Sequence, residues 1–257
     1  MQFQPSDILK PYVKGYTVIT IDSDWANEVF YPTGYIEFAI NISGGHVTTT
    51  INGRPISMPK IEVLGLLTVP TRLSVTRGTT VLIASIYPHA SSLFFPNPVS
   101  DFTNDSIDLC EVIANGSNEF YDSLMNKDTI EQKVRELDMF LTQKVRKNEK
   151  AHKKIKMIEQ ICSCISAQGE SFNIKNLSTR YGFTERYIQK LLLNNVGLPP
   201  RSIYNVQRFN KSLELVRRID LPLTAIAYDC GYYDQAHFIK EFKKYTGLTP
   251  SEVRSII

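Results

Sequence analysis

The sequence predicts an α+β protein of two domains, a small β-barrel or sandwich with following helices, then an all-α domain built around a long helix. Three observations carry this. At 257 residues the chain exceeds the usual size of one domain. Its first hundred residues are written in short runs of β-branched and aromatic residues punctuated by turn signals. Beyond about residue 105 the apolar period changes to that of helices, and the last third writes one helical frame twice.

The strands come first. "GYTVITID" (15–22), "YIEFAINI" (35–42), "HVTTTI" (46–51), "RLSVTR" (72–77) and "TVLIASIY" (80–87) are rich in β-formers, and several alternate apolar with polar residues. Asn52-Gly53 is a hairpin signal, and Gly44-Gly45 and Gly78 mark further turns. Strands this short and evenly spaced close into a small barrel or sandwich.

Helical patterning follows in "SIDLCEVIAN" (106–115), "EFYDSLMN" (119–126) and "TIEQKVRELDMFLTQKV" (129–145). In the last, Ile130, Val134, Leu137 and Leu141 share one stripe, suited to covering the β domain or pairing with a second copy of the chain. The stretch "RKNEKAHKK" (146–154) has no apolar stripe and reads as a linker or an exposed helix turn. The expected organisation is therefore a β-rich domain with its helices over 1–146, a linker over 147–154 and a helical domain over 155–257.

Charge divides along the same line. Residues 1–150 hold 13 Lys and Arg against 17 Asp and Glu, while residues 151–257 hold 16 against 9, a local net charge of +7. A basic last third suits a polyanionic partner. No apolar run approaches the ~20 residues of a membrane span. The N-terminus "MQFQPSDILK" lacks a secretory pattern. Cys110, Cys162, Cys164 and Cys230 form no disulfide or zinc spacing and read as buried apolar residues of a reduced, cytoplasmic protein.

The frame written twice is "GFTERYIQKLLLNNVGLPP" (182–200) and "GYYDQAHFIKEFKKYTGLTP" (231–250). In the first copy Asn173 can cap a helix "IKNLSTRY", Gly182 ends it, and Thr184 caps "ERYIQKLLLNNV". Ile188, Leu191 and Leu192 then face the core, leaving Arg186, Gln189 and Lys190 outside. In the second, "LTAIAYDC" runs to Gly231 and Asp234 sits in the first turn of the next helix. Phe238, Phe242 and Tyr245 face inward there, and Gln235, Ala236, Ile239, Lys240 and Lys243 outward. "TPSE" (249–252) is a capping box for a last helix. Helix, glycine turn, helix is a helix-turn-helix, whose second helix enters a DNA major groove. The intervening "PRSIYNVQRFNKSLELVRRI" (200–219) is a rod of ~28 Å. That length suits two reading helices placed about one duplex turn, ~34 Å, apart.

On these residues, 155–254 resemble the DNA-binding domain of the AraC/XylS family of bacterial transcription regulators. The second copy, "IAYDCGYYDQAHFIKEFKKYTGLTPSEVR", carries most of the match. The resemblance implies seven helices in two helix-turn-helix units bound to an asymmetric promoter site. It places the base-reading faces at Arg186, Gln189 and Lys190, and at Gln235, Ala236, Ile239 and Lys240. Gln suits adenine, Arg and Lys suit guanine, and Ala236 and Ile239 can only meet a thymine methyl. Arg201, Lys243 and Lys244 are candidates for phosphate. The sequence departs from the family at Tyr233, where a small capping residue is usual, and at Lys190, where arginine is common. His237 matches the family and is expected to be structural or phosphate-side rather than a metal ligand.

The expected function is thus a sequence-specific transcription regulator with no cofactor, no metal and no enzymatic activity. Double-stranded DNA is its expected partner. RNA polymerase, a small-molecule effector and a second copy of the chain are further candidates. "FYPTGYIEFAINISG" with "VLGLLTVP" resembles the small β-rich sensor or oligomerisation domains attached to some such regulators. Tyr31, Tyr35, Phe38, Tyr87 and Phe94 are candidates to line an effector pocket there. The rival reading is a fused enzyme, either a metal-dependent barrel or an alkyl-acceptor DNA-repair activity. It lacks support, because His46 and His89 are isolated and Cys110 stands alone in the first half.

Overall fold

A computed structural model describes residues 1–112, 116–148 and 151–256. Its strands are β1 (Gln2–Phe3), β2 (Val13–Thr20), β3 (Trp25–Phe30), β4 (Ile36–Asn41), β5 (Val47–Ile51), β6 (Arg54–Ser57), β7 (Ile61–Leu64), β8 (Thr71–Val75), β9 (Thr80–Ile86) and β10 (Ser106–Asp108). The helices are α1 (Ser91–Phe94), α2 (Leu109–Val112), α3 (Ser117–Met125), α4 (Ile130–Lys147), α5 (His152–Gln168), α6 (Ile174–Tyr181), α7 (Glu185–Val196), α8 (Pro200–Val216), α9 (Leu223–Asp229), α10 (Gln235–Thr246) and α11 (Pro250–Ile256).

The strands form two antiparallel sheets, ordered β1-β2-β9-β4-β7-β10 and β3-β8-β5-β6. Period-2 alternation gives the larger sheet two different faces. Tyr16, Val18, Ile36, Phe38, Ile40, Leu82, Ala84 and Ile86 lie in the main core with the helices that follow. The intervening residues, including Thr17, Ile19, Glu37, Ala39, Ile83 and Ser85, face the smaller sheet instead. Only Ile21, Val47 and Val75 are buried in the cluster on that side, so the space between the sheets is not filled by side chains.

Several expectations need correction. Residues 106–115 do not begin as a helix: Ser106–Asp108 pairs with β7 as the edge strand, and among the described residues of this run the helix is Leu109–Val112. Residues 113–115 lie outside the described residues, as do 149 and 150 of the expected linker. Strands β3 and β7 fall outside the runs expected from the sequence; Asn27 at φ 60° interrupts the pattern of β3, and β7 is only four residues long. The stripe on α4 is used within the chain. Val134, Leu137 and Leu141 are buried, Phe140 stacks on Phe120 at 4.0 Å, and Tyr16 donates to Asp138 at 2.8 Å. That face is therefore not presented to a second copy. Of the cysteines, only Cys230 is fully buried.

The β-rich part and the helical part share one continuous apolar core. The segment between β9 and β10 makes much of this contact. The Ser91 hydroxyl donates to the carbonyl of Asn195, and that of Thr103 to the carbonyl of Gly197, at 2.9 and 3.1 Å. The C-terminal end of α7 is thereby held against the β domain.

Candidate nucleic-acid interface

Two helix-turn-helix units are built by the same local chemistry. Asn173 caps α6 by accepting from the Lys175 N–H, and Thr184 caps α7 by accepting from the Tyr187 N–H. Between them Gly182, at φ 67°, makes the left-handed turn that a residue with a Cβ adopts only at a cost. In the second unit Gly231 takes the same role at φ 73°. Asp234 is the N-cap of α10 itself rather than a first-turn residue, accepting from the His237 N–H at 2.7 Å. With Asp234 in that place, Tyr233 is not needed as a cap and is 86% exposed. His237 accepts from the Tyr233 N–H through Nδ1 and lies edge-on to Tyr232, so its role here is to close the turn.

Helix α8 spans 17 residues, Pro200–Val216, about 25 Å at ~1.5 Å per residue. It ends three residues before the sequence pattern suggested. The reason is Arg254 of α11, whose guanidinium donates to the carbonyls of Val216, Arg218 and Leu221 and so satisfies the chain just beyond the helix. The rod is also fixed to the second unit. Arg208 of α8 is buried, donates to the Gly231 carbonyl, and lies over the ring of Tyr232. Sequence reasoning missed Arg208, whose only signal was its place beside the apolar stripe of α8.

The outward faces of α7 and α10 hold the residues singled out from the sequence. Arg186, Gln189 and Lys190 are exposed, as are Ala236 and Lys240, while Gln235 and Ile239 are half-buried. Ile188, Leu192, Phe238 and Phe242, one turn away on the other side, are fully buried. Among the described residues, the side chains of Arg186, Gln189, Lys190, Gln235 and Lys240 have no hydrogen-bond or ion-pair partner within the chain. Their donors and acceptors are free for a ligand. The phosphate candidates differ among themselves. Lys243 is exposed, Lys244 is paired with Glu241, and Arg201 is exposed with its guanidinium 5.8 Å from the Tyr204 ring centre. Tyr187 on α7 is 45% exposed and supported by Phe183 at 4.6 Å. Composition did not single it out, because an aromatic on a helix reads as core.

The effector-pocket candidates separate. Tyr31 and Tyr35 line a cavity of about 310 Å³ between the two sheets. Tyr87 lines a neighbouring cleft, where its ring meets that of Tyr35 at 5.5 Å. Phe38 and Phe94 do not line the cavity; both are buried in the main core, on the other side of the sheet or beyond it. Among the described residues no group of three or more His, Cys, Asp or Glu is placed to hold a metal ion. Within the same residues no helix is long and apolar enough to cross a membrane.

A β domain followed by two capped helix-turn-helix units on a common rod, each with an exposed polar face, defines a DNA-binding class of domain. Residues 177–256 match the family described as "Helix-turn-helix domain", and residues 1–108 match "Domain of unknown function (DUF6597)". The similar proteins are transcription regulators rather than enzymes. A transcriptional activator, RhaS of Escherichia fergusonii, is 31% identical over 85 residues, 33% of this chain and 31% of that protein. The F1 operon positive regulatory protein of Yersinia pestis is 33% identical over 89 residues, 35% of this chain and 30% of that protein. The chain thus spans about a third of the length of the relatives it matches. In fold, it is similar to ToxT of Vibrio cholerae, with a TM-score of 0.50 and 15% identity over 94% of this chain and 96% of that one.

Proposed function

We propose that the chain is a sequence-specific transcription regulator, in which α7 and α10 enter successive major-groove segments of one duplex. The observation that carries this is the matched pair of reading faces. The first is exposed and the second exposed in part, the polar side chains of both are unpaired within the chain, and the two are joined through a rod braced by Arg208 and Arg254. In this reading Arg186, Gln189, Lys190, Gln235 and Lys240 meet base edges, Ala236 and Ile239 meet thymine methyls, and Arg201 and Lys243 meet phosphates. Lys244 contributes less, because Glu241 already holds it. The working division is a regulatory domain over 1–146, a linker over 147–154 and a DNA-binding domain over 155–257. The protein acts in the cytoplasm of a bacterium, and RNA polymerase is the partner an activator of this kind would recruit.

Regulation passes through the loop 31–35. Tyr31, Thr33 and Tyr35 line the intersheet cavity, while Thr33, Gly34 and Tyr35 also line the cleft against Val206 and Asn210 of α8. Gly34 sits so close to α8 that a Cβ there would lie 2.9 Å from the Asn210 side-chain nitrogen. An occupant of the cavity that moves this loop would press on the rod that spaces the two reading helices. The experiment is to select bound sites from random duplex DNA with the full chain, then measure affinity for the selected site and for scrambled DNA over a salt series. Selection of a defined site supports the reading, and equal affinity for all sequences contradicts it.

A further inference from the structure

The intersheet cavity has a composition that its apolar walls do not account for. Two carboxylates stand on the same face of the larger sheet. Glu37 is paired with Leu64 across β4 and β7, and Ala39 with Glu62, so the two acids are diagonal neighbours, ~7–8 Å apart along the ladder. Both line the cavity. Glu37 accepts hydroxyl hydrogen bonds from Thr33 at 2.9 Å and Ser85 at 2.8 Å. Glu62 is 4% exposed, and its Oε1 accepts from Ser106 at 2.5 Å. Its other oxygen has no donor among the described residues, and neither acid has a cationic partner there. Burial pushes both carboxyls above their ordinary range, with the hydroxyls only partly opposing it.

The opposite wall is aromatic. Trp25 and Phe30 of β3 lie with ring centres 5.6 Å apart and Tyr31 follows them, while Tyr35 stands on the carboxylate side, two residues from Glu37. Aromatic faces attract cations, and a buried carboxylate without a counter-ion favours one even more. At ~30 Å³ per water, the volume holds about ten waters, which suits an organic body rather than a bare ion.

We infer that this cavity binds a small organic cation, an aromatic or branched apolar body carrying one protonated amine, with Glu37 and Glu62 as counter-charges and the aromatic wall as its cage. Two uncompensated acids equally select against carboxylates. One ToxT structure was solved with an unsaturated fatty acid bound, and that ligand class is the one these walls reject. The inference rests on the regulatory reading of the β domain only for its biological meaning; the binding itself stands or falls separately.

The test uses the full chain and three probes of one shape, phenethylamine, 2-phenylethanol and phenylacetate. Trp25 is the only tryptophan, so its fluorescence reports occupancy of the cavity directly. The amine should bind at least ~10-fold more tightly than the alcohol, and the acid not measurably, since an unpaired buried charge is what the amine relieves. Glu62→Gln and Glu37→Gln should each erase the preference for the amine while leaving the affinity for the alcohol within about threefold. Acid binding equal to that of the amine, no amine binding at millimolar concentration, or a preference that survives in both Gln variants would each overturn the inference. The wild-type comparison needs no variant and so holds even where one fails to fold. DNA affinity measured with the amine saturating is read separately. An unchanged value would remove the regulatory reading and leave the cation site standing.

Discussion

The guanidinium of Arg208 lies 4.2 Å from the ring centre of Tyr232, and its Nη1 donates to the neighbouring carbonyl of Gly231 at 3.3 Å. A residue of the spacer helix thus grips the turn of the second helix-turn-helix unit. This contact adds to the apolar core around Phe209 and Phe242, whose rings meet at 5.4 Å, in joining rod and reading helix.

Removing the grip has a stability cost and a functional one. Arg208→Ala should cost ~2–3 kcal/mol, from the cation–π contact and the charge-assisted hydrogen bonds together. At ~2–4 °C per kcal/mol for a chain of this size, the melting temperature should fall by roughly 4–12 °C. Arg208→Lys should recover only part of this, because an ammonium lacks the planar fork that reaches ring and carbonyl together. Thermal denaturation of the three proteins decides it; a loss under ~1 °C for Arg208→Ala would count against the brace.

Base-reading and phosphate residues should separate in a binding assay. Gln235→Ala and Lys240→Ala should each cost ~1–3 kcal/mol on the selected site and much less on scrambled DNA. Lys243→Ala should weaken both substrates alike and lower the salt slope by about one. Uniform losses for all three variants would reassign Gln235 and Lys240 to the backbone.

The start of α10 depends on Asp234, which caps it and holds the His237 N–H. Asp234→Ala should destabilise the protein by ~1 kcal/mol, and Asp234→Asn by a fraction of that, since Asn caps nearly as well. Calorimetry on the two variants distinguishes capping from a direct role in DNA contact, for which Asn and Ala would instead be alike in stability and differ in affinity.

Glu62 should give the apo protein a pH dependence of stability. Its carboxyl is raised by burial when folded, against an ordinary value of 4.5. The stability it contributes is therefore complete below about pH 4.5 and is lost as pH rises through the raised folded value. Glu62→Gln removes that loss. The variant should gain stability over the wild type as pH climbs from 4 to 8, measured by thermal melts at each pH. A difference that shrinks over that range would contradict the assignment.

Much of the reading domain was legible because its signals are local. Thr184, Gly182, Gly231 and the Thr249–Glu252 box declare helix ends within three or four residues, and the apolar periods of α7 and α10 declare their inner faces. The β domain hid more. In β4 and β7 the alternation that places Glu37 and Glu62 among apolar residues is the same pattern a solvated sheet face produces. Only the second sheet, packed across from them, turns that face into the wall of a cavity. Phe38 sits beside Glu37 in sequence yet faces the other way, so choosing aromatic residues by neighbourhood joined two sides of one sheet. Arg208 was hidden for a related reason: on a helix wheel it resembles a solvent-facing arginine, and only the fold of a distant turn buries it.

One chain is expected to place two reading helices in adjacent major-groove segments of a single duplex. Methylation interference at guanine N7 tests it most directly, because that atom lies in the major groove. On the selected site, the predicted result is two clusters of interfering positions about ten base pairs apart on one face. Arg186→Ala with Lys190→Ala should silence one cluster, and Lys240→Ala should weaken the other. A single cluster, or two that persist unchanged in those variants, would contradict it.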